Sequence, residues 1–146
     1  MRRILLAEGL ARFDGAALLL LRLFLGAFLI YGVWDNIVDP ARMDEFQAFL
    51  TALNCPLPAV AAPLSVWSQF LVGLLLISGL ATRWAGLLLT ANFIVAVGLI
   101  APTGASFRDL FPPTVLIFIG LVFATSGAGD LSIDRQMARR RGGFSR

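Results

Sequence analysis

Four apolar runs divide the chain, at residues 16–38, 63–80, 84–100 and 110–126. A helix rises 1.5 Å per residue, so about twenty residues cross a hydrocarbon layer of roughly 30 Å. The first run is interrupted only by Arg22 and Asp35; it is too long for a signal-peptide core, and no small-residue cleavage site follows it. Ala81, Thr82 and Arg83 alone separate the second run from the third, which predicts antiparallel neighbours. The fourth run is the shortest, with Asp109 as a candidate cap, Pro112 and Pro113 read as its first turn, and Gly127 and Gly129 beyond its end. Residues 39–62 are amphipathic rather than spanning. Asp39-Pro40 signals a helix start, Met43, Phe46, Leu50 and Leu53 recur every three or four positions, and Asp44, Glu45 and Gln47 take the other side. This predicts a helix over 40–53 on the membrane surface or over the mouth of the bundle, ended by Asn54 and the Pro56-Leu57-Pro58 turn. Residues 1–15, with Arg2, Arg3 and Arg12, can form a short amphipathic stretch. The predicted fold is an all-α membrane protein: one domain over residues 1–146, an antiparallel four-transmembrane-helix bundle with a short amphipathic interfacial helix between helices 1 and 2.

Composition supports this pattern. Hydrophobic residues make up 58% of the chain and charged residues 14%, too few to build a water-facing surface. Charge then sets the expected orientation. All twelve basic residues are arginine. Arg2, Arg3, Arg12, Arg83, Arg135, Arg139, Arg140, Arg141 and Arg146 fall on one side of the predicted topology, against Arg42 and Arg108 on the other. The positive-inside rule puts the larger set, and both termini, in the cytoplasm of a bacterial inner membrane. Tyr31 and Trp34 then mark the outer interface and Trp84 the inner one. The net charge of +3 reports topology, and no base-reading motif suggests nucleic acid. The Arg-rich tail serves as a topology anchor and can attract anionic lipid headgroups. With no histidine and a single cysteine, Cys55, the chain alone offers no internal disulfide and no usual zinc or haem site, so no metal and no intrinsic cofactor is expected. Cys55 reads as a plain free thiol or as one that pairs with a partner protein.

Candidate chemistry lies with polar side chains inside the apolar runs, because each costs free energy unless paired. Arg22 has two readings: a buried cation holding a headgroup or a quinone carbonyl, or a side chain reaching back to the interface. Ser65, Gln69 and Gly73 recur every four residues as a small, polar stripe, and Asn92 is the expected partner of Gln69 across to the next helix. That pair reads as an interhelical clasp or as a ligand site. Gly120 and Ala124 form a small-xxx-small pair expected to mark close packing. Asp35 and Asn36 are either solvated at the interface or turned with Gln69 to the mouth, where an acid can handle protons.

The pattern Arg22-Leu-Phe-Leu-Gly26, Tyr31-Gly32, Pro56-Leu-Pro58, Gly79-Leu-Ala-Thr82-Arg83 and Gly127-Ala-Gly129-Asp-Leu-Ser132-Ile-Asp134 resembles the DoxX family over about residues 18–134. The resemblance implies a bacterial four-helix membrane protein linked to thiosulfate:quinone oxidoreduction, to quinone and thiol stress, or to membrane redox complexes with partner proteins. Two departures stand out: Gln69 where many relatives carry a glutamate, and Trp34-Asp35-Asn36 where a lysine or histidine is frequent. The function expected is a small subunit of a redox or quinone-linked assembly. Its cavity would be lined by Arg22, Gln69 and Asn92 and would take a quinone or a lipid, and any oxidoreductase role would depend on that ligand or on a partner protein. The alternatives are a non-catalytic scaffold with a protein partner or as a homo-oligomer, and, last, a small-molecule transporter.

Overall fold

The computed structural model describes residues 13–142, with side chains to Arg139. The amphipathic stretch expected over residues 1–15 lies almost wholly outside the described residues, as do the side chains of Arg140, Arg141 and Arg146. The chain forms α1 (Asp14–Val38), α2 (Pro40–Ala52), α3 (Pro58–Ser78), α4 (Thr82–Ile100), a 3-10 turn at Ala101–Thr103, α5 (Phe107–Ser126) and α6 (Ile133–Gly142). No strand occurs among the described residues. Helices α1, α3, α4 and α5 are each long and apolar enough to cross a membrane, and in water their outward-facing Phe24, Phe28, Leu64, Trp67, Ile94 and Phe118 would be a large exposed apolar surface.

The helix ends differ from the sequence expectation where capping decides them. α2 starts as Asp39-Pro40 predicts, with Asp39 Oδ1 accepting from the Ala41 N–H at 2.9 Å. α3 begins at Pro58, five residues before the expected Pro63, so Pro58 takes the first turn and Pro63 lies inside the helix. α5 begins at Phe107. Ser106 is its cap, accepting from the Asp109 N–H, while Asp109 Oδ2 accepts from the Ser106 N–H at 3.0 Å. This reciprocal box starts the helix a turn earlier than expected. It also moves Pro112 and Pro113 into the helix interior, where they remove the N–H groups that the carbonyls of Arg108 and Asp109 would have bonded.

One core joins the four spanning helices. Leu25 and Leu29 of α1, Val72 and Leu76 of α3, Ala85 and Leu89 of α4, and Leu116 and Phe123 of α5 form a single buried cluster. Two glycine crossings bring backbones together. A Cβ on Gly26 would meet the Gly73 carbonyl oxygen at 2.7 Å, and one on Gly73 would meet the Gly26 carbonyl oxygen at 2.9 Å, which pins α1 against α3. A Cβ on Gly86 would meet the Gly120 carbonyl oxygen at 2.5 Å and the Ala124 nitrogen at 2.6 Å, which pins α4 against α5. Small residues permit this approach where lipid supplies no hydrophobic drive between helices. Gly73 therefore packs against α1. The stripe written as Ser65-Gln69-Gly73 splits because each step of four residues drifts by about 40° on a helix of 3.6 residues per turn.

Candidate functional site

A cavity of about 560 Å3 opens between α3, α4 and α5 beneath α2. Phe46, Phe49, Leu50 and Leu53 of α2 roof it, and Leu64, Leu88, Phe93 and Leu99 are among its apolar walls. Gln69 and Asn92, near the middle of α3 and α4, supply polar groups with Ser65 and Ser68. Its size falls in the ordinary range of small-molecule pockets, roughly 300–1,000 Å3.

The polar groups form a short chain of hydrogen bonds. Gln69 Nε2 donates to Ser65 Oγ at 3.2 Å, Ser65 Oγ donates to Asn92 Oδ1 at 3.0 Å, and Ser68 Oγ lies 3.4 Å from the same oxygen. Gln69 and Asn92 are thus linked through Ser65 rather than directly. Their remaining groups, the Gln69 carbonyl oxygen and the Asn92 Nδ2, make no hydrogen bond among the described residues. The lining therefore offers one free acceptor and one free donor among mostly apolar walls, with Asp109, its carboxylate held by Ser106, at the edge. Ser65 is legible in the sequence as part of the stripe; Ser68, one residue from Gln69, lies off that spacing and carries no such signal.

Arg22 does not line this cavity. Its side chain is only 1% exposed, so it does not reach back to solvent. It packs at the opposite end of the bundle, where Nη2 donates to the Leu131 carbonyl oxygen at 2.6 Å. Nε and Nη1 have no partner among the described residues, nor does the buried Thr82 Oγ1. Nη1 occupies the space that a Cβ on Gly79 would need, and Asp134 is the charge that acts on the guanidinium. Asp134 also organises this end. Its carboxylate accepts from the N–H of Ala81 at 2.8 Å and of Thr82 at 3.0 Å, and its own N–H donates to the Gly79 carbonyl at 3.0 Å. α4 has no cap from its own N-cap residue, so Asp134 supplies one from more than fifty residues away. Three separate segments, around Arg22, Gly79–Arg83 and Gly129–Asp134, meet in this one polar knot.

Asp35 and Asn36 also stand apart from the cavity lining. Asp35 is exposed and accepts from the Asn36 N–H at 2.9 Å, while Asn36 Nδ2 donates to the Arg42 carbonyl at 3.0 Å and ties α1 to the start of α2. On the same exposed turn Arg42 donates to Glu45 at 2.8 Å, and that hydrogen bond raises the arginine pKa above its ordinary value. Gly120 and Ala124 sit against Gly86, and Thr90 Oγ1 donates there to the Gly86 carbonyl at 2.9 Å. No group of three or more metal-ligating side chains occurs among the described residues.

Comparison with known proteins places this architecture in a family. No curated protein and no solved structure matches the chain. A model of the DoxX family matches residues 17–102, from the start of α1 through α4 into the turn that follows it. The match includes Arg22, Gly26, Gln69, Gly73, Gly79 and Asn92, whereas α5, α6 and Asp134 lie beyond it. More than half of the chain is covered, including three of the four helices fit to cross a bilayer, and the protein belongs to the DoxX family of membrane proteins.

Proposed function

We propose that the protein binds an apolar molecule with a small polar head, of the quinone class, in the α2-roofed cavity, and serves as a small subunit of a membrane redox assembly. The observation that carries this reading is the pairing of a free donor, Asn92 Nδ2, with a free acceptor, the Gln69 carbonyl, in a mostly apolar space of about 560 Å3. A quinone offers carbonyl acceptors to Asn92, and its quinol form offers hydroxyl donors to Gln69, so both oxidation states find a partner. The ring and tail would rest against Phe46, Phe49 and Phe93. Electrons would come from and go to a protein partner, and this chain would hold the carrier.

The test is thermal melting of the purified protein with a short-chain quinone. The wild type should be stabilised in a dose-dependent way. Asn92→Leu should weaken binding by about tenfold, the effect of losing one to two net hydrogen bonds. Ala96→Phe, which fills the cavity and leaves the amides in place, should abolish the shift. If no quinone co-purifies and none moves the melting temperature, the reading fails.

The same proposal places the protein in a bacterial inner membrane with the Arg83 and α6 end in the cytoplasm, following the arginine distribution. Cys55 is the only thiol and lies between α2 and α3 at the other end. A membrane-impermeant maleimide should modify it in spheroplasts and leave it unmodified in sealed inside-out vesicles. The converse pattern would invert the orientation.

A further inference from the structure

A second recess lies at the end of the bundle opposite α2. It is an open groove of about 410 Å3 between the start of α4 and the turn from α5 to α6, with Arg83, Trp84, Gly127, Gly129 and Arg135 on its walls. We infer that this groove holds the phosphate of an anionic membrane lipid, with Arg83 as its principal ligand, whatever the α2-roofed cavity contains.

Four observations converge on that chemistry. Arg83 makes no ion pair or hydrogen bond among the described residues, and its stem lies across Gly127, where a Cβ would stand 3.4 Å from Nε. Ala128 and Gly129 line the same wall, and their N–H groups likewise have no partner among the described residues. The acid that shares the groove, Asp134, is already engaged by the N–H groups of Ala81 and Thr82. Arg135 adds a second cation, paired with Asp130 at 3.0 Å where both side chains are more than half exposed, a contact of the kind worth little in water and free to rearrange.

Position selects a lipid over a dissolved anion. α4 begins at Thr82 and α5 ends at Ser126, so the groove lies where two spanning helices leave the hydrocarbon, at the depth of lipid phosphates. Trp84 is 74% exposed beside it, an amphipathic ring of the kind enriched at that interface. A lipid seated here places its phosphate between Arg83 and the two free N–H groups and its chains alongside Trp84.

Native mass spectrometry of the protein in mild detergent, titrated with phosphatidylglycerol, tests the assignment. The wild type should retain one phosphatidylglycerol per chain in preference to phosphatidylcholine. Arg83→Gln should weaken that binding about fivefold, the contribution of one cation near an anionic surface. Arg139→Gln, which removes an equal charge outside the groove, should leave it unchanged. Arg83 is exposed, so its variant should fold, and an unchanged circular dichroism spectrum checks this. Equal loss in both variants, or no preference over phosphatidylcholine, overturns the site. Inorganic phosphate that binds lipid-free micelles with the same dependence on Arg83 overturns the lipid as its occupant.

Discussion

Asp134→Ala is expected to be the most damaging side-chain truncation in the bundle, with a loss of about 3–5 kcal/mol, the scale of two hydrogen bonds to a charged acceptor at roughly 1.5–3 kcal/mol each. Two costs combine. The first is the loss of both acceptors from the N–H groups of Ala81 and Thr82. Ala81 stands at φ 49°, a left-handed conformation unfavourable by roughly 1–2 kcal/mol for a residue with a Cβ, and the carboxylate helps to hold it there. The second is electrostatic: Arg22, 1% exposed, would keep its charge and lose the acid that compensates it. Reversible unfolding in detergent measures the total, and a double-mutant cycle separates the parts. Asp134→Asn, which retains one acceptor, should cost about half as much. Arg22→Met placed in the Asp134→Ala background should recover part of the stability, because it removes the stranded cation. Strict additivity of the two changes would show that Arg22 and Asp134 are not coupled.

Gly86→Ala should be the next most damaging change, at about 1–3 kcal/mol or more, because an added methyl would press on backbone and not on a side chain that can turn away. Its Cβ would lie 2.5 Å from the Gly120 carbonyl oxygen, 2.6 Å from the Ala124 nitrogen and 3.0 Å from the Phe123 carbonyl carbon. Relief requires α4 and α5 to move apart, which opens the packing around Phe123 and Leu89. Gly98→Ala on the same helix is the control. No atom lies within 4 Å of its Cβ position, and alanine is the better helix former, so it should be neutral or slightly stabilising. Equal melting temperatures for the two variants would mean that the crossing is looser than the structure has it.

The contrast between those two glycines also shows what a sequence can and cannot convey. Four spanning helices were legible because each is a long apolar run, a signal carried by every residue in it. The amphipathic α2 was legible from Asp39-Pro40 and the spacing of Met43, Phe46 and Leu50. Helix starts were less so, because Ser106 and Asp109 act as a pair and Pro58 competed with Pro63 for the same role. Gln69 and Asn92 stood out as polar groups at mid-helix, and the structure brings both to one cavity. The fate of Arg22 was not legible. Its direct partner is a backbone carbonyl 109 residues away, and a carbonyl carries no sequence signature. Asp134 was visible in the sequence only as part of a pattern. Nothing local says that it caps a helix beginning at Thr82, since that depends on how α6 returns to the Gly79 turn.

Pro112 and Pro113 bear on the shape of the surrounding bilayer. Hydrocarbon cannot solvate the carbonyls of Arg108 and Asp109 that these prolines leave unclaimed. The part of α5 with an intact hydrogen-bond ladder runs from Leu110 to Ser126, about 25 Å of helix against a hydrocarbon layer of roughly 30 Å. The membrane must therefore thin, or admit water, beside the first turns of α5. Asp109, Pro112 and Pro113 also border the α2-roofed cavity, so headgroups of the adjoining leaflet would sink toward its rim, and the amphiphile proposed for it would pass sideways from lipid to protein without crossing bulk solvent.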